Sequence, residues 1–305
     1  MAAFRNQQFY KLLRPMVTIR RTNALQAKNK NSPTKVNIED KVAVITGGAS
    51  GIGFEIAKEF LKAGMSALTI IDNDKKKSEE SLKILSDEFG EEKILLVEAD
   101  VADTDQMDAA LRNAVLHYQT IDIIVNNAGI LDDTKWEQEL RTNLRGCVIG
   151  TLLGMQYMAK SSSGEGGTIV NIGSIMSIIP SCGFPIYTMT QFGIAGFSKA
   201  LGSSNLYERT NVKIFGYCPG ITQTNMLKDV SNKTINTNFA SEFQEEIENY
   251  KIQNPQSAAK GLLEILEEAK PGSIWIAEND EPPYEMSFQP VFNRKKNKAA
   301  EEMGS

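Results

Sequence analysis

Short apolar runs and amphipathic stretches alternate along the chain from residue 41 onward. Residues 41–46 are an apolar run that ends at a glycine-rich turn. Over 51–63, Ile52, Ile56, Phe60 and Leu61 recur at helical spacing. Further apolar runs cover 67–72, 94–99 and 121–125, separated by helical patterns at 75–89 and 103–118. Residues 136–160 read as one long helix, 161–167 as a Ser/Gly loop, 168–172 as a fifth strand and 187–206 as another long helix. A sixth strand is expected over 212–217, a helix over 255–269 and a last strand over 273–277. Residues 223–252 are polar, loop-like and then acidic-helical. The strand runs are apolar at successive positions, as strands covered on both faces require. The pattern predicts an α/β fold: a single Rossmann-type doubly wound parallel sheet with helices on both faces.

Composition narrows the picture. The chain has 305 residues, of which 41% are hydrophobic, enough to bury a sizeable core. No stretch approaches the roughly 20 consecutive apolar residues of a membrane span. Cys147, Cys182 and Cys218 are widely spaced and odd in number, which points to reduced thiols. The single histidine, His117, excludes a metal site built from several histidines and reads as a solvent-facing residue; no metal is expected.

Charge is uneven. Residues 1–38 carry eight of the 33 basic residues and no acid, so residues 39–305 hold 25 basic and 38 acidic residues, a net of -13. An acidic body repels polyanions, so nucleic acid is not an expected partner. The basic leader 1–38 reads equally as a mitochondrial transit peptide or as an unstructured basic tail on a cytoplasmic protein. The expected organisation is this leader, a main domain over 39–292 and a charged tail over 293–305.

The chemistry-bearing residues stand at the ends of the strands. Gly47, Gly51 and Gly53, with Ser50 and Ile52 among them, lie between the first strand and its helix. Small residues there let the backbone and a helix N-terminus approach a pyrophosphate. Asp72 ends the second strand, nineteen residues after Gly53, where a carboxylate accepts from ribose hydroxyls and repels a 2′-phosphate. That favours NAD over NADP, although Lys75, Lys76 and Lys77 are close.

Ser174 precedes Tyr187 by thirteen positions, and Gln191 follows Tyr187 by four. With the glycine turn, this arrangement resembles the short-chain dehydrogenases, whose mark is a serine followed by Tyr-x-x-x-Lys. The resemblance spans about residues 40–280 and looks nearest to the NAD-type hydroxyprostaglandin dehydrogenases and the insect alcohol dehydrogenases. It implies that Asp100 and Val101 contact adenine and that Asn127, Ala128 and Gly129 line the cofactor cleft. It implies that Pro219, Gly220, Ile221 and Thr222 grip the nicotinamide carboxamide. The catalytic tetrad carries over as Asn143, Ser174, Tyr187 and, at the lysine position, Gln191. Serine orients the substrate oxygen, tyrosine exchanges a proton with it, asparagine holds a relay water, and the fourth residue binds the nicotinamide ribose.

Gln191 can still hydrogen-bond a ribose, but it supplies no positive charge. Free tyrosine titrates near 10, so phenolate at neutrality asks for a shift of up to ~3 units, roughly 4 kcal/mol. Lys199, about 12 Å further along the helix, is too far to substitute. The resemblance implies NAD-dependent oxidation of a hydrophobic secondary alcohol to a ketone, with impaired turnover, or an inactive NAD-binding pseudoenzyme. Met176, Ile178, Ile179, Cys182 and Phe184, with Met226, Leu227, Phe239 and Phe243, are the expected apolar wall around the substrate. Relatives pair through the helices corresponding to 136–160 and 187–206, which implies a homodimer or homotetramer.

Overall fold

The computed structural model describes residues 38–162 and 164–288. The expected leader, apart from the buried Ile38, and the tail lie outside them. The chain divides into two compact units, Ser32–Pro283 and a second formed by Met1–Asn31 with Tyr284–Ser305. Of the second unit only residues 284–288 are described, with a two-residue strand at Tyr284–Glu285.

The larger unit runs β1 (Val42–Thr46), α1 (Gly51–Lys62), β2 (Ala67–Asp72), α2 (Lys75–Phe89), β3 (Ile94–Glu98), α3 (Thr104–Tyr118) and β4 (Ile123–Asn126). It continues through α4 (Trp136–Glu139), a π-helical stretch (Leu140–Gly146), α5 (Cys147–Met158), β5 (Gly167–Ile172), α6 (Pro185–Leu201) and α7 (Ser204–Thr210). It closes with β6 (Val212–Pro219), α8 (Thr237–Ile247), α9 (Pro255–Ile265) and β7 (Ile274–Ala277). These strands are all parallel in the order β3-β2-β1-β4-β5-β6-β7. The order reverses between β1 and β4, and a doubly wound sheet opens its ligand crevice at that switch, beyond the strand ends.

Two apolar cores explain the continuous apolar runs. On one face Ala43, Ile45, Ile70 and Phe215 meet Ile56 and Phe60 of α1 and Leu262 and Ile265 of α9. On the other, Val44, Ile71, Ile124 and Ile214 meet Met107 and Leu111 of α3 and Ile149 of α5. Successive strand residues therefore serve opposite layers. Burying each of the larger side chains among them contributes about 1.5–3 kcal/mol.

Two long helices differ from the sequence reading. The stretch expected as one helix over 136–160 contains the π-helical turn at Leu140–Gly146, a form often found at functional sites. The helix expected over 187–206 starts earlier, at Pro185, and stops at Leu201. Proline suits a first helical position because its missing N–H is not needed there. At Gly202 the backbone packs on Gly272, where an added Cβ would lie 2.0 Å from the Gly272 nitrogen. The chain therefore turns and begins α7 at Ser204.

Among the described residues, no helix is long and apolar enough to cross a membrane. His117 is exposed near the end of α3, edge-on to Tyr118. Cys147, Cys182 and Cys218 form no disulfide; burial pushes the Cys147 thiol up to about 12 and the Cys218 thiol to about 11.

Candidate active site

The strand ends open into a cleft of about 350 Å³, lined from Asp72 and Asp100 at one end to Asn143, Tyr187 and Gln191 at the other. Between them lie Gly47, Ser50, Gly51, Ile52, Asn127, Ala128 and Gly129. Gly47 and Gln191, 144 positions apart, thus meet in one cleft because the segments that carry them follow strands ending on the same edge.

The glycine turn is held by main-chain geometry. Gly47 has φ 63° and Gly51 has φ 57°, a region that disfavours side chains. A Cβ on Gly53 would lie 2.4 Å from both Asn127 Nδ2 and Gly47 O. Gly53 is therefore a packing position and does not line the cleft. Asn127 Nδ2 donates to the carbonyls of Thr46 and Gly47, at 3.0 and 3.1 Å. Thr46 Oγ1 accepts the N–H groups of Asn127 and Ala128. Strand β4 is stapled to the turn by these bonds.

The helix that follows is left open. Ser50 occupies its N-cap without a side-chain hydrogen bond. Helices α2, α3, α8 and α9 are each closed by an Asp or Asn side chain, from Asp74, Asp103, Asn236 and Asn254. Uncapped N–H groups and the helix dipole facing a cleft suit a phosphate. Asp72 accepts the Ala49 N–H at 3.2 Å and the Asp74 N–H at 3.0 Å. Each of its oxygens keeps a lone pair for a hydroxyl. The donor set fits a dinucleotide. Asp100 receives the Ala102 N–H and pairs with Arg141, and Val101 packs beside it.

The segment expected to grip the carboxamide is tied to its neighbours. Pro219 ends β6, and the Gly220 N–H donates to Ala277 O. The buried Thr222 hydroxyl donates to Gly220 O and accepts from Gln253 Nε2. Residues 219–222 are stitched to β7 and to Gln253, and none lines the cleft. Thr224, Asn225 and Met226 do, with Thr224 Cγ2 3.4 Å from where a Gly51 Cβ would stand. Thr224 was two positions from the predicted threonine; its chance as the N-cap of the short turn Asn225–Leu227 was legible in the sequence.

At the reacting end, Asn143 is buried in the π-helical turn. Its Oδ1 accepts the Ile130 N–H at 2.8 Å, and its Nδ2 donates to Ile130 O and Thr190 Oγ1. Gln191, 3% exposed, donates from Nε2 to the same Thr190 oxygen at 3.0 Å. Thr190 in turn donates to Tyr187 O at 2.7 Å. Thr190, unnoticed in the sequence, therefore links Asn143 to Gln191. Lys199 is exposed at the far end of α6, and among the described residues lining the cleft the basic side chain is Lys77, paired with Asp74 at the other end. Burial, and then the charge of Glu139, raise the Tyr187 phenol well above its ordinary range, while a hydrogen bond with Ser174 works the other way. Ser174 also accepts the Met176 N–H as cap of the turn Ile175–Ser177.

Not all of the expected apolar wall faces a substrate. Phe184 and Phe243 are buried against each other, ring centroids 4.9 Å apart, and Cys182 is exposed. Helix α8 is fastened above this region by Glu246, which accepts the Ser181 hydroxyl and the Cys182 N–H.

Comparison with known proteins identifies the family and the fold. The profile of the short chain dehydrogenase family matches residues 41–235. The chain is 32% identical over 237 residues to the 15-hydroxyprostaglandin dehydrogenase [NAD(+)] of Rattus norvegicus, covering 76% of this chain and 88% of that one. It is 31% identical over 242 residues to alcohol dehydrogenase 1 of Ceratitis cosyra, covering 79% and 93%. Among solved structures, levodione reductase superposes with a TM-score of 0.69 at 22% identity, over 79% of this chain and 97% of that one.

Proposed function

The chain belongs to the short-chain dehydrogenase family, and from that premise we propose that it is an NAD-dependent oxidoreductase converting a hydrophobic secondary alcohol to a ketone. The observation that carries the reading is that one cleft holds Tyr187, hydrogen-bonded with Ser174, and the Asn143–Thr190–Gln191 chain at one end and an uncapped helix with Asp72 toward the other. The 15-hydroxyprostaglandin and alcohol dehydrogenase relatives support both the cofactor and the class of substrate.

Bound NAD would supply the hydride acceptor. Gly47, Ser50, Gly51 and Ile52 would hold its phosphates, and Asp72 an adenosine ribose. Asp100 and Val101 would flank the adenine, and Thr224 and Asn225 the nicotinamide end. Ser174 holds the substrate oxygen, and Tyr187 takes its proton as the ketone forms. Gln191, tethered by Thr190, offers an amide to the nicotinamide ribose in place of a cation.

A neutral phenol at physiological pH slows alcohol oxidation, because the base is the phenolate. Oxidation is therefore expected to rise toward alkaline pH. Gln191→Lys restores a cation and is expected to raise the rate most near pH 7, by up to about tenfold. Tyr187→Phe is expected to lower kcat at least about 100-fold while NADH still binds. NADH formation from a panel of secondary alcohols, followed from about pH 7 to 10, checks both. If neither the natural chain nor Gln191→Lys turns over while both bind NAD, the chain is a pseudoenzyme.

Trp136, Leu152, Met189 and Phe192 are exposed large apolar side chains on α4, α5 and α6. They support pairing of two copies through these helices.

A further inference from the structure

Helix α6 carries Tyr187 two positions after Pro185, so its first free N–H groups are those of Ile186 and Tyr187. Phe184, at the N-cap, has no side-chain acceptor to offer. Both N–H groups are instead received by one distant carboxylate: Asp133 Oδ2 takes Ile186 N and Oδ1 takes Tyr187 N, each at 3.0 Å. Asp133 is 2% exposed. An anion at a helix N-terminus is favoured, and two charge-assisted bonds fix the first turn of the helix.

Glu139, 0% exposed, stands within side-chain hydrogen-bonding reach of Asp133. Glu139 Oε1 accepts the Asp132 N–H at 3.1 Å, and no donor reaches Oε2. The titratable and charged groups bearing on Glu139 are Asp132, which is paired with Lys135, then Asp133 and the Tyr187 phenol. Two buried carboxylates in contact cannot both stay ionised.

We propose that Asp133 and Glu139 share one proton, Glu139 donating it to Asp133, and that this pair is a positioning device that sets the Tyr187 end of the catalytic helix. Burial, foremost, and the neighbouring Asp133 raise the Glu139 carboxyl to about 8, in accord with a retained proton. Asp133 acts through the Tyr187 backbone and touches no substrate. When Glu139 loses its proton, a second negative charge appears beside the phenol, and Asp133 loses a donor. The catalytic half of the proposal rests on Tyr187 being the proton-exchanging group.

The sign of the stability effect follows from the raised pKa. An unfolded glutamate ionises near 4.3, the folded one far higher. The stability Glu139 contributes is therefore full at acid pH, falls as pH rises above the unfolded value, and is gone once pH passes the folded one. Glu139→Gln keeps a neutral donor and removes this titration. In the full-length chain, the melting temperature of Glu139→Gln minus that of the natural protein is expected to climb from about pH 5 to about pH 8 and then level off. A difference that stays flat across that range overturns the shared proton.

Asp133→Asn puts an amide against two N–H donors. It is expected to lower kcat about tenfold or more, with NADH affinity within about twofold. Turnover by the natural chain with unaltered kcat in Asp133→Asn overturns the positioning role. In an active enzyme the rate ratio of Glu139→Gln to the natural chain rises above about pH 8, because the second charge never forms. A natural chain without turnover refutes the oxidoreductase reading instead. Ultraviolet titration of Tyr187, taken against Tyr187→Phe, then decides the pair. A lower phenol titration in Glu139→Gln supports it, and an identical one overturns it.

Discussion

Around the glycine turn the shaping contacts run from side chain to main chain: Asn127 to the Thr46 and Gly47 carbonyls, Asp72 to the Ala49 and Asp74 N–H groups. Around Gln191 they run from side chain to side chain, Asn143 and Gln191 both meeting Thr190 Oγ1. The first region depends on residues being small or absent from the space, and the backbone does the binding. The second depends on which groups the side chains carry. On the proposed function, the neutral Gln191 would therefore alter the chemistry at its own end and leave the dinucleotide end intact.

The contrast is broken most severely at Gly53. Gly53→Ala forces a methyl to 2.4 Å from Gly47 O, which must shift. Overpacking of this kind costs about 1–3 kcal/mol, and the displaced turn is expected to weaken NADH binding about 100-fold, because that binding depends on the placement of backbone N–H groups. Thermal denaturation and an NADH fluorescence titration measure the two; an alanine variant that binds normally would show that the turn does not depend on this contact.

Thr190→Val sharpens the other side. It removes the oxygen that receives Asn143 and Gln191, leaving buried amide N–H groups short of an acceptor at about 1–3 kcal/mol. The expected result is a kcat lower by about tenfold, with NADH affinity changed much less, read from steady-state kinetics and the same titration. Equal losses in both would mean that the two regions are not separable.

The smallest effect is expected where α8 is fastened. Glu246→Gln weakens two charge-assisted contacts, to Ser181 and Cys182, at a partly exposed position. The KM for the alcohol is expected to rise about twofold to fivefold while kcat holds, since such contacts differ by about 1 kcal/mol. A fall in kcat without a change in KM would place α8 in the chemical step.

Much of the first region was legible beforehand. Gly47, Gly51, Asp72, Asp100 and the Asn127–Gly129 run stand at strand ends, and alternation of apolar runs with helical spacing locates those ends. Gly53 was read as cofactor-facing but packs inside, since spacing alone does not say which way a turn faces. The place of Thr222 was hidden for a related reason: Gln253, thirty-one residues away, donates to its hydroxyl, and Thr224 lines the cleft. Asp133 and Glu139 belong to no motif noted in the sequence, and only burial near Tyr187 distinguishes them.

The sequence by itself determined the parallel sheet, the strand-end location of the cleft and the absence of a lysine at position 191, because periodicity and residue identity are local properties of the chain. The tertiary structure decided which donors meet which acceptors: that Thr190 joins Asn143 to Gln191, that Asp133 closes the helix of Tyr187, and that Glu139 is sealed beside them. Those pairings join positions as far as 54 residues apart, and their strength comes from shared burial, which exists only once the layers have packed.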